Sequence, residues 1–257
     1  MATFWNNVRG TGKFIALFAV IGWSVAAYVI RRAHRCDAAA KARWLQLTCR
    51  RALRVLAVSV DSRGMPAERS VIVANHLSYM DVVVLAALTP VVFVSKKEVQ
   101  SWPLFGWFAV QAGTLFIDRT CRGDVARIGT GLEAVIAAGL TTVLFLEGTT
   151  TDGRDVLSFK PSLLGPVVRN NWHVVPVALD YDVSANRSAA REVCWWGDMT
   201  LVPHLWNLTT LPWVRARVAW GGPVMALGQD RKEFAEDLRQ RVVALRAGGA
   251  LDVSHPH

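Results

Sequence analysis

Four short apolar runs in this 257-residue chain are each followed at once by side chains that could do chemistry. Asn75-His76-Leu77-Ser78-Tyr79-Met80-Asp81 follows residues 71–74, and Ser95-Lys96-Lys97 follows residues 91–94. Asp118-Arg119 follows residues 114–117, and Glu147-Gly148-Thr149-Thr150 follows residues 142–146. A His on a loop, with an Asp in the first turn of the next helix, makes a general-base pair. The carboxylate fixes the tautomer and stabilises the imidazolium, and the other ring nitrogen takes a proton from a hydroxyl. His76 and Asp81 have that spacing, and their company at successive strand ends makes the pairing worth following. Arg119 matches phosphate oxygens with paired donors, unless it is a surface ion pair with Asp118. Lys96 or Lys97 adds a point charge. Gly148 permits a tight turn whose N–H groups face an anion. Glu147 orients a basic group or a substrate hydroxyl, or caps the segment after it. Ser78 as a nucleophile would make a serine lipase, but it lacks the GxSxG strand-turn-helix setting. No phosphate-binding P-loop or GxGxxG occurs, which weighs against nucleotides.

The elements that must position these residues are legible around them. Residues 71–74, 91–94, 114–117, 142–146 and 174–179 read as strands, and 80–88 and 125–138 as helices between them. The alternation implies an α/β fold, a mostly parallel sheet flanked by helices. The near-continuous apolar character of the runs fits strands covered on both faces. Parallel sheets collect sites beyond the carboxyl ends of their strands, where the polar residues fall. Residues 192–196 and 215–220 read as further strands and 230–245 as a charged amphipathic helix. A frayed tail is expected over residues 248–257.

Composition narrows the class. Hydrophobic residues make up 52%, charged residues 19%, and mean hydropathy is +0.27. That is too apolar for a disordered chain and too charged for a bundle of membrane spans. Four cysteines lie scattered without a zinc-like spacing, so no metal site is expected. The net charge of +9 resides wholly in residues 1–63, where eleven Lys/Arg face only Asp37 and Asp61. Residues 14–30 carry no formal charge and are followed by Arg31-Arg32, and Trp5, Trp23 and Tyr28 suit a membrane interface. Residues 37–58 read as a basic amphipathic helix. The expected organisation is therefore a basic membrane-anchoring helix pair at 1–63 and a catalytic domain at 64–247. The basic flank puts the bulk of the protein on the cytoplasmic side of the inner membrane. Nucleic acid is excluded as a partner by the apolar run beside the basic one.

Four segments in order carry a family resemblance: Asn75 to Asp81, Phe116-Ile117-Asp118-Arg119, Phe145-Leu146-Glu147-Gly148-Thr149 and Val175-Pro176-Val177. Together they resemble the motifs of the glycerolipid acyltransferases, specifically the 1-acylglycerol-3-phosphate acyltransferases, over roughly residues 65–225. The resemblance implies a glycerol-3-phosphate acyltransferase-like fold and acyl transfer from acyl-CoA or acyl carrier protein to a lysolipid hydroxyl. His76 would be the base and Asp81 its orienting partner. Arg119 and the Glu147-Gly148-Thr149 turn, with Lys96, would hold the headgroup, and Val175-Pro176 would shape the strand beside the donor. No acyl-enzyme, metal or cofactor is implied beyond the thioester co-substrate, and an N-terminal helix pair on the bilayer is usual in bacterial members. One departure matters: Thr150 stands where many phosphatidate-forming members have Arg. That swap, and the stretch Trp195-Trp196-Gly197-Asp198-Met199-Thr200, resemble relatives that acylate lyso-ornithine lipid. Lysophosphatidate is the first expectation, because Lys96, Lys97 and Arg119 are present; lyso-ornithine lipid is the close alternative. A non-catalytic membrane-bound scaffold is the rival from another class.

Overall fold

A computed structural model describes residues 2–32, 37–65, 69–102, 104–118 and 121–248. The chain opens with two helices, α1 (Ala2–Arg32) and α2 (Ala38–Leu56), and passes into β1 (Val58–Arg63) and β2 (Val71–Ala74). Then come α3 (Tyr79–Leu88), β3 (Val91–Lys96), a 3-10 turn (Lys97–Ser101), α4 (Phe105–Gln111), β4 (Leu115–Ile117), α5 (Arg122–Ala137) and β5 (Thr141–Leu144). A second 3-10 turn (Pro161–Leu164) leads through α6 (Gly165–Arg169) to β6 (Val174–Val183), α7 (Ala189–Glu192), α8 (Leu201–Thr210), β7 (Val214–Trp220) and α9 (Arg231–Arg246).

The strands form one seven-stranded sheet in the order β1-β7-β6-β2-β5-β3-β4, parallel throughout except where β6 meets β7. β2 lies at its centre, with Val73 opposite Pro176 of β6 and Leu144 of β5. Alternate residues feed two cores. Ile72, Ala74, Val143 and Val175 pack with α2 and α3, and Val71, Val73, Leu144 and Val174 pack with α5 and α9. The apolar strand pattern follows from this two-sided burial.

Two readings change. Residues 192–196 are not a strand: α7 ends at Glu192, and Val193 and Cys194 are buried loop residues. A short apolar run looks alike in either setting. Conversely, β1 pairs in parallel with β7 at the sheet edge, so α2 stops at Leu56 and the residues up to 63 belong to the sheet. Left-handed Ala57 makes the sharp exit, its N–H bonding to Arg54 O. The expected tail lies, from residue 249 on, outside the described residues.

The helix pair packs on the domain. α2 buries Trp44, Leu45, Cys49, Leu53 and Leu56, and its Arg50 donates to Ala87 O (2.7 Å) at the end of α3. α1 approaches α8 closely at Gly10, where a Cβ would stand 3.0 Å from Thr210 Cγ2. Lys13 Nζ donates to Leu56 O (2.8 Å) and Leu211 O (2.7 Å), satisfying carbonyls at the ends of α2 and α8 at once. Leu17, Ser24 and Tyr28 are also buried, and Trp44 Nε1 of α2 donates to Ser24 O (2.9 Å); most of the remaining surface of α1 faces outward. Its Phe4–Ile30 stretch contains an 18-residue window of mean hydropathy 2.0, of which only 17% is buried. At about 1.5 Å per residue this helix is long enough to cross a bilayer.

Candidate active site

The site starts where β2 ends. The Asn75 side chain donates to Leu179 O (3.0 Å) and accepts from Leu179 N (2.8 Å), continuing the β2–β6 pairing one step past the ladder. His76 therefore leaves the sheet at a fixed point. Its ring stacks on Phe145 at the end of β5, 3.9 Å between centroids and 13° between planes.

Asp81, wholly buried in the first turn of α3, gathers the loop around itself. Its Oδ2 accepts from His76 Nδ1 (2.8 Å), Leu77 N (2.6 Å) and Ser78 N (2.9 Å), and its Oδ1 accepts from the Tyr181 hydroxyl (2.7 Å). A carboxylate at a helix N-terminus that takes up nearby N–H groups is a local folding device. Here it also acts on the imidazole. An ionised carboxylate only accepts, so this contact favours the tautomer with the His76 proton on Nδ1, which leaves the lone pair on Nε2. The Ser78 hydroxyl is wholly buried and finds no hydrogen-bond partner among the described residues, so none of them activates it as a base.

Glu147 works differently from the expectation that it holds substrate. It is 2% exposed, and its oxygens accept from His76 N (2.6 Å) and Leu157 N (2.8 Å). It braces the backbone behind the histidine and ties down the 148–157 loop, whose Thr151 N donates to His76 O (3.1 Å). Burial raises its carboxyl above the ordinary Glu value, against the pull of those two N–H groups. Gly148 takes φ +74° in the turn that follows, a conformation that favours glycine.

A cavity of about 520 Å³ opens on His76. The strand ends contribute Lys96, Gly148, Thr149 and Thr150 to its wall, and α1 and α2 contribute Leu17, Phe18, Ile21, Leu45 and Leu56. The walls thus come from both sides of residue 63, and the helix pair completes the pocket that His76 lines. Val175 and Pro176 do not reach it. They sit inside β6, buried opposite Ile72 and Val73, with Pro176 filling the space beside Gly221. Lys97 pairs with Asp118 (3.3 Å). Arg119 lies outside the described residues. Tyr181 had no sequence signal, being a hundred residues from the carboxylate it serves. Burial and the Asp81 charge hold its phenol well above the usual range.

Comparison with known proteins agrees with this geometry. The family model described as Acyltransferase matches residues 57–180. The lyso-ornithine lipid O-acyltransferase of Brucella abortus is 37% identical over 77% of this chain and 78% of its own. The 1-acyl-sn-glycerol-3-phosphate acyltransferase of Neisseria meningitidis is 30% identical over 70% of each. The crystal structure of the 1-acyl-sn-glycerophosphate acyltransferase PlsC from Thermotoga maritima superposes over 100% of both chains with a TM-score of 0.73 at 19% identity, which shows a shared fold. With a polarised histidine at the end of β2, a pocket closed by an apolar helix pair and these relatives, the chain belongs to the acyltransferase family, among the lysolipid O-acyltransferases.

Proposed function

We propose that the protein moves a fatty acyl group from a thioester, acyl-CoA or acyl carrier protein, to the free hydroxyl of lyso-ornithine lipid. The observation that carries the reaction is His76, held by buried Asp81, on the wall of a cavity lined by both polar strand ends and apolar helices. His76 Nε2 takes the proton as the hydroxyl oxygen attacks the thioester carbonyl. The C–O bond forms, the C–S bond breaks, and the proton passes from His76 to the departing thiolate. Asp81 stabilises the imidazolium between the two steps. No group outside the protein and its two substrates enters this scheme. Lys96, Thr149 and Thr150 are the groups that meet the headgroup, and the mostly apolar surface of α1 and α2 takes the acyl chain.

The acceptor is supported by the relatives and by one residue. Four lyso-ornithine lipid O-acyltransferases match at 33 to 37% identity, and the two Neisseria lysophosphatidate enzymes at 30%. Thr150, neutral, stands on the cavity wall where a phosphomonoester would gain from a cation. Lysophosphatidate is the second reading, favoured by Lys96 on the same wall. Outward-facing α1, with Arg31-Arg32 at its end, supports a membrane protein with the sheet on the cytoplasmic face of the inner membrane. The test is a paired assay on detergent-solubilised protein. Lyso-ornithine lipid and lysophosphatidate are offered with each thioester, and His76→Ala serves as the blank. Faster turnover of lyso-ornithine lipid is expected. Turnover of lysophosphatidate alone would replace the first acceptor with the second, and no difference from the blank on either would remove both.

A further inference from the structure

One corner of the cavity is built differently from the rest. Tyr79, Trp102, Phe105 and Trp195 all line it and meet edge to face, with Trp102–Trp195 centroids 5.4 Å apart and Tyr79 6.0 Å from both Phe105 and Trp195. An apolar groove for a hydrocarbon chain needs no such fixing, yet these rings are pinned by polar groups. Trp195 N donates to Leu77 O (2.8 Å), next to His76, and Trp195 Nε1 donates to Met199 O (2.8 Å). His204 Nε2 donates to Cys194 O (3.0 Å), which leaves Nδ1 to accept from the Tyr79 hydroxyl (3.0 Å). The corner is thus preorganised from both sides and tied to the catalytic loop.

We propose that this aromatic corner seats the cationic side-chain amine of the acceptor headgroup, and so selects an amine-bearing lysolipid over a phosphomonoester. The inference rests on the lyso-ornithine reading and adds the group that recognises it. Ornithine carries an ammonium and a carboxylate. Among the described residues lining the cavity there is no Asp or Glu to receive the ammonium. What the wall offers a cation is aromatic surface, and indole is the best such surface among side chains. The carboxylate falls to Lys96. It lines the same cavity and stands at the opposite end of the 3-10 turn Lys97–Ser101 from Trp102. That turn spans about 10 Å at about 2 Å per residue, a gap that a lysine side chain and a three-methylene amine bridge together.

The test uses the full chain in detergent and two acceptors, lyso-ornithine lipid and the same lipid with its side-chain amine acetylated, with lysophosphatidate alongside. Wild type should prefer the free amine by about tenfold in kcat/KM, chiefly through KM, as a partly desolvated cation–π contact warrants. Trp195→Leu should lose about that factor on the free amine and converge with wild type on the acetylated lipid, and Trp195→Phe should recover part of the loss. Trp102→Leu, on a short surface turn, supplies the same comparison should Trp195→Leu fail to fold. Equal turnover of the free and acetylated lipids by wild type would overturn this proposal and leave the acceptor reading standing. So would equal losses on both lipids in the Leu variants, since that is the mark of plain apolar packing. Turnover of lysophosphatidate alone would overturn both.

Discussion

The loop at residues 75–81 and the turn at residues 145–157 each bury a carboxylate against His76, and each carboxylate collects backbone N–H groups. Asp81 takes the N–H groups of Leu77 and Ser78 together with the imidazole itself; among the described residues, Glu147 takes those of His76 and Leu157 and no side chain. Both look alike in sequence, an acid beside a strand end. The difference lies in what each carboxylate touches: Asp81 meets an imidazole, and Glu147 meets backbone N–H groups. What counts is whether the group's charge reaches an atom whose protonation changes.

The largest effect should come from the Asp81 side. His76→Ala or Asp81→Asn should lower kcat by about 10²–10⁴, and thermal unfolding of His76→Ala should stay close to wild type. A near-normal rate in either would erase the contrast. On the Glu147 side the expected loss is in stability. Glu147→Ala removes the acceptor of two part-buried N–H groups, about 1–3 kcal/mol in denaturant unfolding, while turnover of the folded fraction stays within roughly tenfold. Glu147→Gln sharpens the point through pH. Burial raises the folded-state carboxyl above its ordinary value of 4.5. Its favourable contribution is therefore present below that value and lost as pH rises through the raised one, a slope that the Gln variant should lack.

Tyr181→Phe should be milder in rate than either Asp81 or His76 variants, because Oδ1 loses one donor while the imidazole keeps Oδ2. A stability loss of about 1.5–3 kcal/mol, with less than a tenfold change in kcat, is expected from urea unfolding and steady-state assays. The smallest effect is expected at His204, which holds the Tyr79 hydroxyl. Burial lowers His204 below its ordinary 6.5, so its contribution to stability is intact above 6.5 and lost as pH falls through the depressed value. His204→Gln should flatten the melting temperature across that acidic window.

Much of the frame is legible in the sequence. The strands at 71–74, 91–94 and 174–179 announce themselves because both their faces are buried, and the His76–Asp81 pair because five residues of loop and helix turn bring the two together. α8 was missed. Its Leu201-Val202-Pro203 opening reads as a break, yet a proline in the first turn gives up an N–H that has no partner there. The mistaken strand at 192–196 has the opposite cause: Val193 and Cys194 are apolar because they cover the core next to Leu77, in a loop.

The sequence by itself determined what depends on neighbours along the chain: the two-sided strands, the Asp81 carboxylate at the start of α3, the basic, apolar N-terminus and the motif order. Only the tertiary structure decided that Tyr181 completes Asp81, that Glu147 is a brace, that Lys13 caps two helices and that α1 and α2 help form the reaction cavity. Each of those joins residues many positions apart to satisfy a buried polar group or close an apolar surface. Such needs are imposed by packing, and no local pattern encodes who meets them.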